Sequence, residues 1–252
     1  MATQVIHGRE PLFGPWSASS AKTRFSQTFV TPSASAMFAG LSERELSEIL
    51  SFARTRTFDS DELLFSQGQA ARSLMVLQSG SVKHTQLSSN GDEVLLRMSG
   101  PGEAVNLHLG ADTCNHTCSA RAMEECKAWV WDNNSLQELL NRYLRLRVNM
   151  GHLLASRLQE LEERFREIST EKVARRLALV LLRLTKQIGK NCREGSQVCL
   201  SREELAQMTG TTLFTISRVL SSWAELGLVI PKRQAVVICD AARLETVSED
   251  LS

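Results

Sequence analysis

Between residues 108 and 126 the chain gathers side chains of ligand type: His108, Cys114, His116, Cys118 and Cys126. Thiolate and imidazole together suit zinc or iron. A thiol whose pKa is lowered by a neighbouring charge would instead act as a redox switch. The plain packing alternative makes the cysteines small buried hydrophobes and leaves the histidines at the surface. The Cys-x₃-Cys spacing of Cys114 and Cys118 lacks the second pair of a structural zinc site, so all three readings stand and any metal is unassigned. Haem is a further reading. It would need an axial ligand, and His84, His108 and His116 are the histidines between residues 36 and 133.

A second constellation spans residues 200–239. Ser201 lies three residues before Glu204, the spacing of a capping box that satisfies free amides at a helix start. Leu205 and Met208 give that helix an apolar stripe, and Gly210 permits a tight turn. The helix that follows has Leu213, Ile216, Val219 and Leu220 on one face, continued by Trp223 and Leu226, with Gly227 as its stop. Its other face carries Thr211, Thr212, Thr215, Ser217 and Arg218. A short helix with hydroxyls and a guanidinium outward suits a DNA major groove. Residues 228–230 and 235–239 alternate like strands around Pro231-Lys-Arg-Gln234, a wing with Lys232 and Arg233 placed to meet phosphates together with Thr211.

The rest of the chain must position these groups. Its 252 residues leave room for two modest domains, and 42% hydrophobic with 23% charged residues is ordinary for a globular protein. Residues 1–35 hold three of the five prolines without sustained periodicity and read as a mobile tail, although Phe13, Trp16, Phe25 and Phe29 are candidates for docking on the body. Residues 37–50 turn helical. Short apolar runs then occur at 55–58, 63–65, 74–77, 82–85, 94–98, 120–122 and 128–131, with Gly68, Gly80, Gly91 and Gly102 between them. Turn signals at such spacing indicate an antiparallel barrel or sandwich, and Asn90-Gly91 is a hairpin signal.

From Leu136 to Ile168 apolar residues recur mostly at steps of three and four, with Asn134 or Ser135 as cap. One helix of that length suggests a coiled-coil dimer interface, because a small barrel cannot cover so much apolar surface. Another helix is expected over 171–188. The reading divides the chain into a tail (1–35), a sensor domain (36–133), a long dimerisation helix (134–168) and a DNA-binding unit (169–252).

The overall charge of +1 hides an asymmetry. Residues 169–239 carry eleven Lys/Arg against five Asp/Glu, as a nucleic-acid-binding segment would. No apolar run approaches the ~20 residues of a membrane span, and no signal peptide is evident, so a cytoplasmic protein with reduced thiols is expected. Gly-x-Ser-x-Gly, the phosphate loop and His-Glu-x-x-His are all missing from the sequence, which argues against an enzyme. A different class would be a redox or metal-binding protein whose winged helix serves as a protein-interaction module.

Barrel, long helix and winged helix in that order resemble the CRP/FNR family of bacterial transcription regulators. The resemblance runs from about Met37 to Thr246, most closely at Phe38-Ala-Gly-Leu41, residues 74–82, Gly100-Pro-Gly102 and Thr215-Ile-Ser-Arg218. It implies an α+β architecture: a cyclic-nucleotide-binding-like β-roll, a long dimerisation helix and a C-terminal winged helix-turn-helix. It also implies a homodimer on palindromic double-stranded DNA, with RNA polymerase as protein partner. Cyclic-AMP-responsive members hold the ribose with a Gly-Glu pair and the cyclic phosphate with an Arg-Ser pair. Those positions fall here on Val105-Asn106 and Cys118-Ser119, without the phosphate-neutralising arginine, which argues against cyclic AMP. With no cysteine before Cys114, a family-type 4Fe–4S iron–sulfur cluster is equally disfavoured. In the recognition helix the family's glutamate position is Phe214, suited to a thymine methyl, while Ser217 and Arg218 keep the pattern and Arg218 should read guanine. Thr212, Phe214, Ser217 and Arg218 are thus the expected base-contacting set. The Thr-Leu-Phe-Thr-Ile-Ser-Arg run is similar to the nitrogen-oxide-responsive subgroup.

Overall fold

The computed structural model describes residues 29–107 and 114–250, so the expectations for Phe13, Trp16, Phe25 and His108 lie outside the described residues. Of the expected tail, Phe29 is exposed beneath the Lys127 ammonium, and Val30 donates to the Gln78 carbonyl at 3.0 Å. Ser35 is buried and donates to the Gly102 carbonyl at 2.6 Å, so the tail's last residues pack on the body.

The helical pattern at 37–50 resolves into a 3-10 turn, Ala36–Phe38, and helix α1, Glu43–Ser51, which begins with a complete Ser42–Glu45 capping box. Seven strands follow: β1 (Arg54–Phe58), β2 (Leu63–Phe65), β3 (Ser73–Ser79), β4 (Val82–Leu87), β5 (Glu93–Ser99), β6 (Ser119–Ala122) and β7 (Cys126–Asp132). Each contains one of the apolar runs or overlaps it. They form two antiparallel sheets, ordered β1-β7-β3 and β2-β6-β4-β5. Phe58, Phe65, Leu77, Val82, Val105 and Ala120 fill the space inside the roll.

The apolar periodicity from 134 to 168 predicts one helix, and the structure breaks it in two. Helix α2 (Asn133–Arg142) and helix α3 (Leu144–Thr170) meet at Tyr143, which is extended at φ −112° and ψ 93°. Two contacts hold the break. The Arg147 guanidinium donates to the Leu140 carbonyl through Nε (3.0 Å) and Nη2 (2.6 Å), and Tyr143 itself is buried with α2 against the roll. The cap is Asp132, two or three residues earlier than Asn134 or Ser135, and it accepts from the Ser135 amide at 3.0 Å. Met37, Phe38, Ile49, Trp131, Leu139 and Met150 join this second core, and Asn149 ties α3 to the 3-10 turn by donating to the Met37 and Ala39 carbonyls.

After α3 come helix α4 (Val173–Ile188), strands β8 (Lys190–Cys192) and β9 (Gly195–Val198), helices α5 (Arg202–Thr209) and α6 (Leu213–Glu225), strands β10 (Val229–Pro231) and β11 (Val236–Ile238), and helix α7 (Ala241–Asp250). The small sheet runs β10-β11-β9-β8. Strand β8 has no apolar run to announce it, since Lys190, Asn191 and Cys192 pair only through backbone with β9.

The core of this C-terminal unit includes two residues of the roll, Leu95 and Met98 of β5. A register shift makes this arrangement. His84 pairs with Arg97 and Thr85 with Leu95, leaving Leu96 over, so two residues three apart reach one apolar cluster. The roll therefore docks directly on the C-terminal unit. The Leu95 amide donates to Gln207 Oε1 at 3.1 Å, Lys83 pairs with Glu204 at 3.6 Å and Lys190 pairs with Glu124 at 2.5 Å. At Gly100 a Cβ would stand 2.0 Å from the Gln187 carbonyl oxygen.

Candidate nucleic-acid interface and sensor region

The helix pair in the C-terminal unit is built as its sequence dictates. Ser201 accepts from the Glu204 amide at 3.2 Å, while Glu204 accepts from the Ser201 amide at 2.8 Å. Gly210 ends α5 in the left-handed conformation, φ 61°, where a side chain would be strained. Ile216, Leu220 and Trp223 are fully buried and fix α6 against the core. Leu213 and Leu226 belong to the expected buried stripe but are 44% and 46% exposed, because each sits at an end of α6 where the helix has left the core.

The outward face of α6 presents Phe214, Ser217 and Arg218 together, at the three- and four-residue spacing that stacks side chains on one helix surface. Phe214 is 84% exposed, a large aromatic side chain set against solvent. Thr212 is the N-cap. Its hydroxyl accepts from the Thr215 amide at 3.3 Å and lies 3.0 Å from the Thr215 hydroxyl. Thr211 precedes it, its amide held by the Ala206 carbonyl at 3.0 Å. The wing closes through the Lys232 amide on the Ala235 carbonyl at 2.8 Å, with Arg233 exposed at its tip. The Lys232 ammonium rests on Gln197 Oε1 at 2.9 Å, a partner the sequence pattern gave no sign of.

The sensor residues separate. Cys114 is exposed and its carbonyl accepts from the Ala71 amide. His116 stacks on Phe65 at 3.7 Å and 11°. Cys118 packs on the core of the roll, with its sulfur 3.9 Å from His84 Nδ1. Burial pushes the Cys118 thiol up despite the nearby Arg97 and Arg157 charges, which disfavours a thiolate. Among the described residues no three His, Cys, Asp or Glu side chains stand where they could hold a metal.

His84 anchors a cluster that its lone place in the sequence does not announce. It is fully buried, and its Nε2 lies 3.0 Å from the Ser99 hydroxyl. Burial, then the charges of Arg97 and Arg157, hold its pKa well below the usual imidazole range. Arg97 donates to the same hydroxyl at 2.7 Å and to the Val105 carbonyl at 2.5 Å. Asn106 is spent internally. It accepts from the Met75 amide at 3.1 Å and donates to the Ser73 carbonyl at 2.6 Å.

Two family models match the chain, a cyclic nucleotide-binding domain over residues 55–143 and a Crp-like helix-turn-helix domain over residues 175–247. The "Cyclic AMP receptor protein" of Thermus thermophilus is 30% identical over 218 residues, covering 86% of this chain and 99% of its own length. This chain belongs to the CRP/FNR family of transcription regulators. The "Transcriptional activator protein Anr" of Pseudomonas protegens is 27% identical over 193 residues, covering 76% of this chain and 79% of that protein. The solved structure of FixK2 from Bradyrhizobium japonicum superposes with a TM-score of 0.67 at 20% identity, covering 77% of this chain and 96% of that one, and so shares the fold. As a CRP/FNR-type regulator the chain binds DNA through its helix-turn-helix. Among the described residues no helix is long and apolar enough to cross a membrane.

Proposed function

We propose that this regulator acts as a cytoplasmic homodimer on a palindromic promoter site and that its β-roll senses an effector other than cyclic AMP. The sensor comprises residues 36–133, the helical connection 134–168 and the DNA-binding unit 169–252. The observation that carries the reading is the α6 face: Phe214, Ser217 and Arg218 stand out from a helix whose opposite side is locked by Ile216, Leu220 and Trp223. Phe214 meets a thymine methyl, Ser217 and Thr212 meet base edges, and Arg218 takes guanine O6 and N7. Thr211, Lys232 and Arg233 hold phosphates on either side.

Dimerisation rests on Leu158, Leu161, Phe165 and Ile168 of α3, which are 59%, 64%, 73% and 49% exposed on the single chain. Full burial of such side chains gains about 1.5–3 kcal/mol each, and covering the half to three-quarters left exposed here gains a corresponding share. RNA polymerase is the expected partner at the promoter. Cyclic AMP is disfavoured by the internal use of Asn106 and by the uncharged Cys118-Ser119 pair. The Thr-Leu-Phe-Thr-Ile-Ser-Arg run supports placing the chain near the nitrogen-oxide-responsive subgroup, where a haem would need His84, His108 or His116 as ligand.

Selection of bound duplexes from a randomised library tests the DNA reading. The expected product is an inverted repeat whose affinity falls steeply between low and moderate salt. Recovery of no sequence would instead favour a protein-interaction role for the winged helix. The visible absorption spectrum and metal content of anaerobically purified protein, before and after nitric oxide, test the effector: a shifting haem band supports the gas, and a colourless, metal-free protein removes haem and an iron–sulfur cluster together.

A further inference from the structure

A cavity of about 210 Å³ opens where β5, α3, α4 and α5 meet, between the sensor roll and the DNA-binding unit. Its floor is apolar, formed by Met98, Val180, Leu184 and Met208. Its charged walls are Arg97, Arg164, Arg183 and Lys186, with Glu160 and Glu163. The cations come from every part of the chain that meets there: Arg97 from the roll, Arg164 from the long helix, Arg183 and Lys186 from α4.

These charges are poorly balanced. Arg183 is neutralised by Glu167 through two bonds, 2.6 and 2.8 Å. Arg97 and Arg164 form no ion pair with any described residue. Arg97 donates to the Ser99 hydroxyl and the Val105 carbonyl, and Arg164 to the Leu96 carbonyl. Arg157, two turns before Arg164 on the same face of α3, likewise donates to a carbonyl, that of Ala104. Glu160 and Glu163 are exposed at the rim and pair with none of these cations, and Glu163 accepts from Gln159 instead. Burial lowers both Arg97, to about 9, and Arg164; a neighbouring guanidinium lowers each further, and Glu103 and Glu160 beside Arg97, and Glu167 and Glu160 beside Arg164, offset part of this. Partly desolvated cations that repel one another, hydrogen-bond only to neutral acceptors and have carboxylates near them but none in direct contact are costly, and an anion in direct contact would relieve that cost.

We propose that this cavity binds a small, multiply charged oxyanion, a phosphate- or carboxylate-bearing metabolite, gripped by Arg97, Arg164 and Lys186. The volume equals ~7 water molecules' share of the liquid, enough for such an anion with some of its hydration. Because its ligands belong to the roll, the long helix and α4, the bound anion braces the docked arrangement of sensor and DNA-binding unit. The site deepens the reading of the chain as an effector-controlled regulator, and that control rests on the reading.

Isothermal calorimetry on the full chain, with pyrophosphate and citrate as separate probes against chloride at constant ionic strength, tests the site. Saturable binding of one anion per chain is expected for at least one probe, and the one that binds distinguishes phosphate from carboxylate chemistry. Affinity should fall about tenfold or more in Arg97→Gln and in Arg164→Gln. Lys186→Gln should also weaken binding, and because Lys186 is exposed this variant separates lost binding from lost folding. Arg54→Gln, at an exposed arginine of β1, should bind as the unaltered chain does. No saturable binding of either probe, or equal binding by Lys186→Gln and the unaltered chain, overturns the site. The calorimetry contains no DNA. A chain that takes the anion but selects no duplex overturns the regulatory reading and leaves the site standing, whereas one that selects DNA but takes no anion overturns the site alone.

Discussion

Glu167 of α3 and Arg183 of α4 meet fork to fork across the elbow between the long helix and the DNA-binding unit, with Nη1 2.6 Å from Oε1 and Nη2 2.8 Å from Oε2. Glu167 is 5% exposed, so little water competes for the pair. Two parallel charge-assisted bonds fix the angle between the helices as well as their separation. Glu167→Gln should cost about 1.5–3 kcal/mol of stability. A double-mutant cycle with Arg183→Gln in chemical denaturation measures the coupling, and additive losses would show that the two side chains merely lie side by side.

On α6, Arg218→Ala should lose about 1–3 kcal/mol of discrimination at one operator position, while Lys232→Ala should weaken all sequences alike and lower the salt slope by about one. Phe214→Ala should leave thermal stability within about 0.5 kcal/mol, because that ring is exposed, yet reduce affinity for operators with thymine at its position. Fluorescence anisotropy on matched and substituted duplexes separates the three. Unchanged selectivity in Arg218→Ala would remove α6 from the reading.

The apolar stripe of α3 makes an independent prediction. Phe165→Asp places a charge at a residue 73% exposed in the single chain, so the fold should survive. The dimer should not. Light scattering after gel filtration should report the mass of one chain, and a variant that kept twice that mass would exclude this stripe as the interface.

His84 sets a pH dependence. The unfolded chain takes up a proton near the ordinary imidazole value of 6.5, whereas burial keeps the folded His84 neutral well below it. Stability should therefore be complete above about pH 6.5 and decline on acidification toward the folded value, by up to about 1.4 kcal/mol per pH unit. His84→Gln should flatten that decline in melting curves recorded from neutral to mildly acidic pH. A slope identical to that of the unaltered chain would assign the effect to other groups.

Much of this architecture was legible because local chemistry and global fold agree. Ser201 and Glu204 announce α5, Ile216, Leu220 and Trp223 announce the buried side of α6, and Asn90-Gly91 marks the β4–β5 hairpin. What escaped depends on contacts between distant residues. The break at Tyr143 is invisible in a periodicity that continues through it, since the compensating bond from Arg147 to the Leu140 carbonyl is a tertiary choice. The bulge that carries Leu95 and Met98 into the other domain's core leaves no mark in an alternating strand. The cysteine and histidine segment drew notice by composition, yet Cys118 faces His84 while His116 stacks on Phe65. The cluster of His84, Arg97 and Arg157 leaves no local signature because its members lie 13 and 60 residues apart in sequence.

Gly100 gives the joint between sensor and DNA-binding unit an unusual economy. With 2.0 Å between a hypothetical Cβ and the Gln187 carbonyl, the two halves are spaced by bare backbone, and the partner atom is main chain that no rotamer change can move aside. Adding a single methyl group there would work as a wedge, parting the halves and prising at the core they share through Leu95 and Met98. The residue thus acts as a stop that sets how closely the β-roll and the helix-turn-helix unit may approach, and its whole contribution is the side chain it lacks.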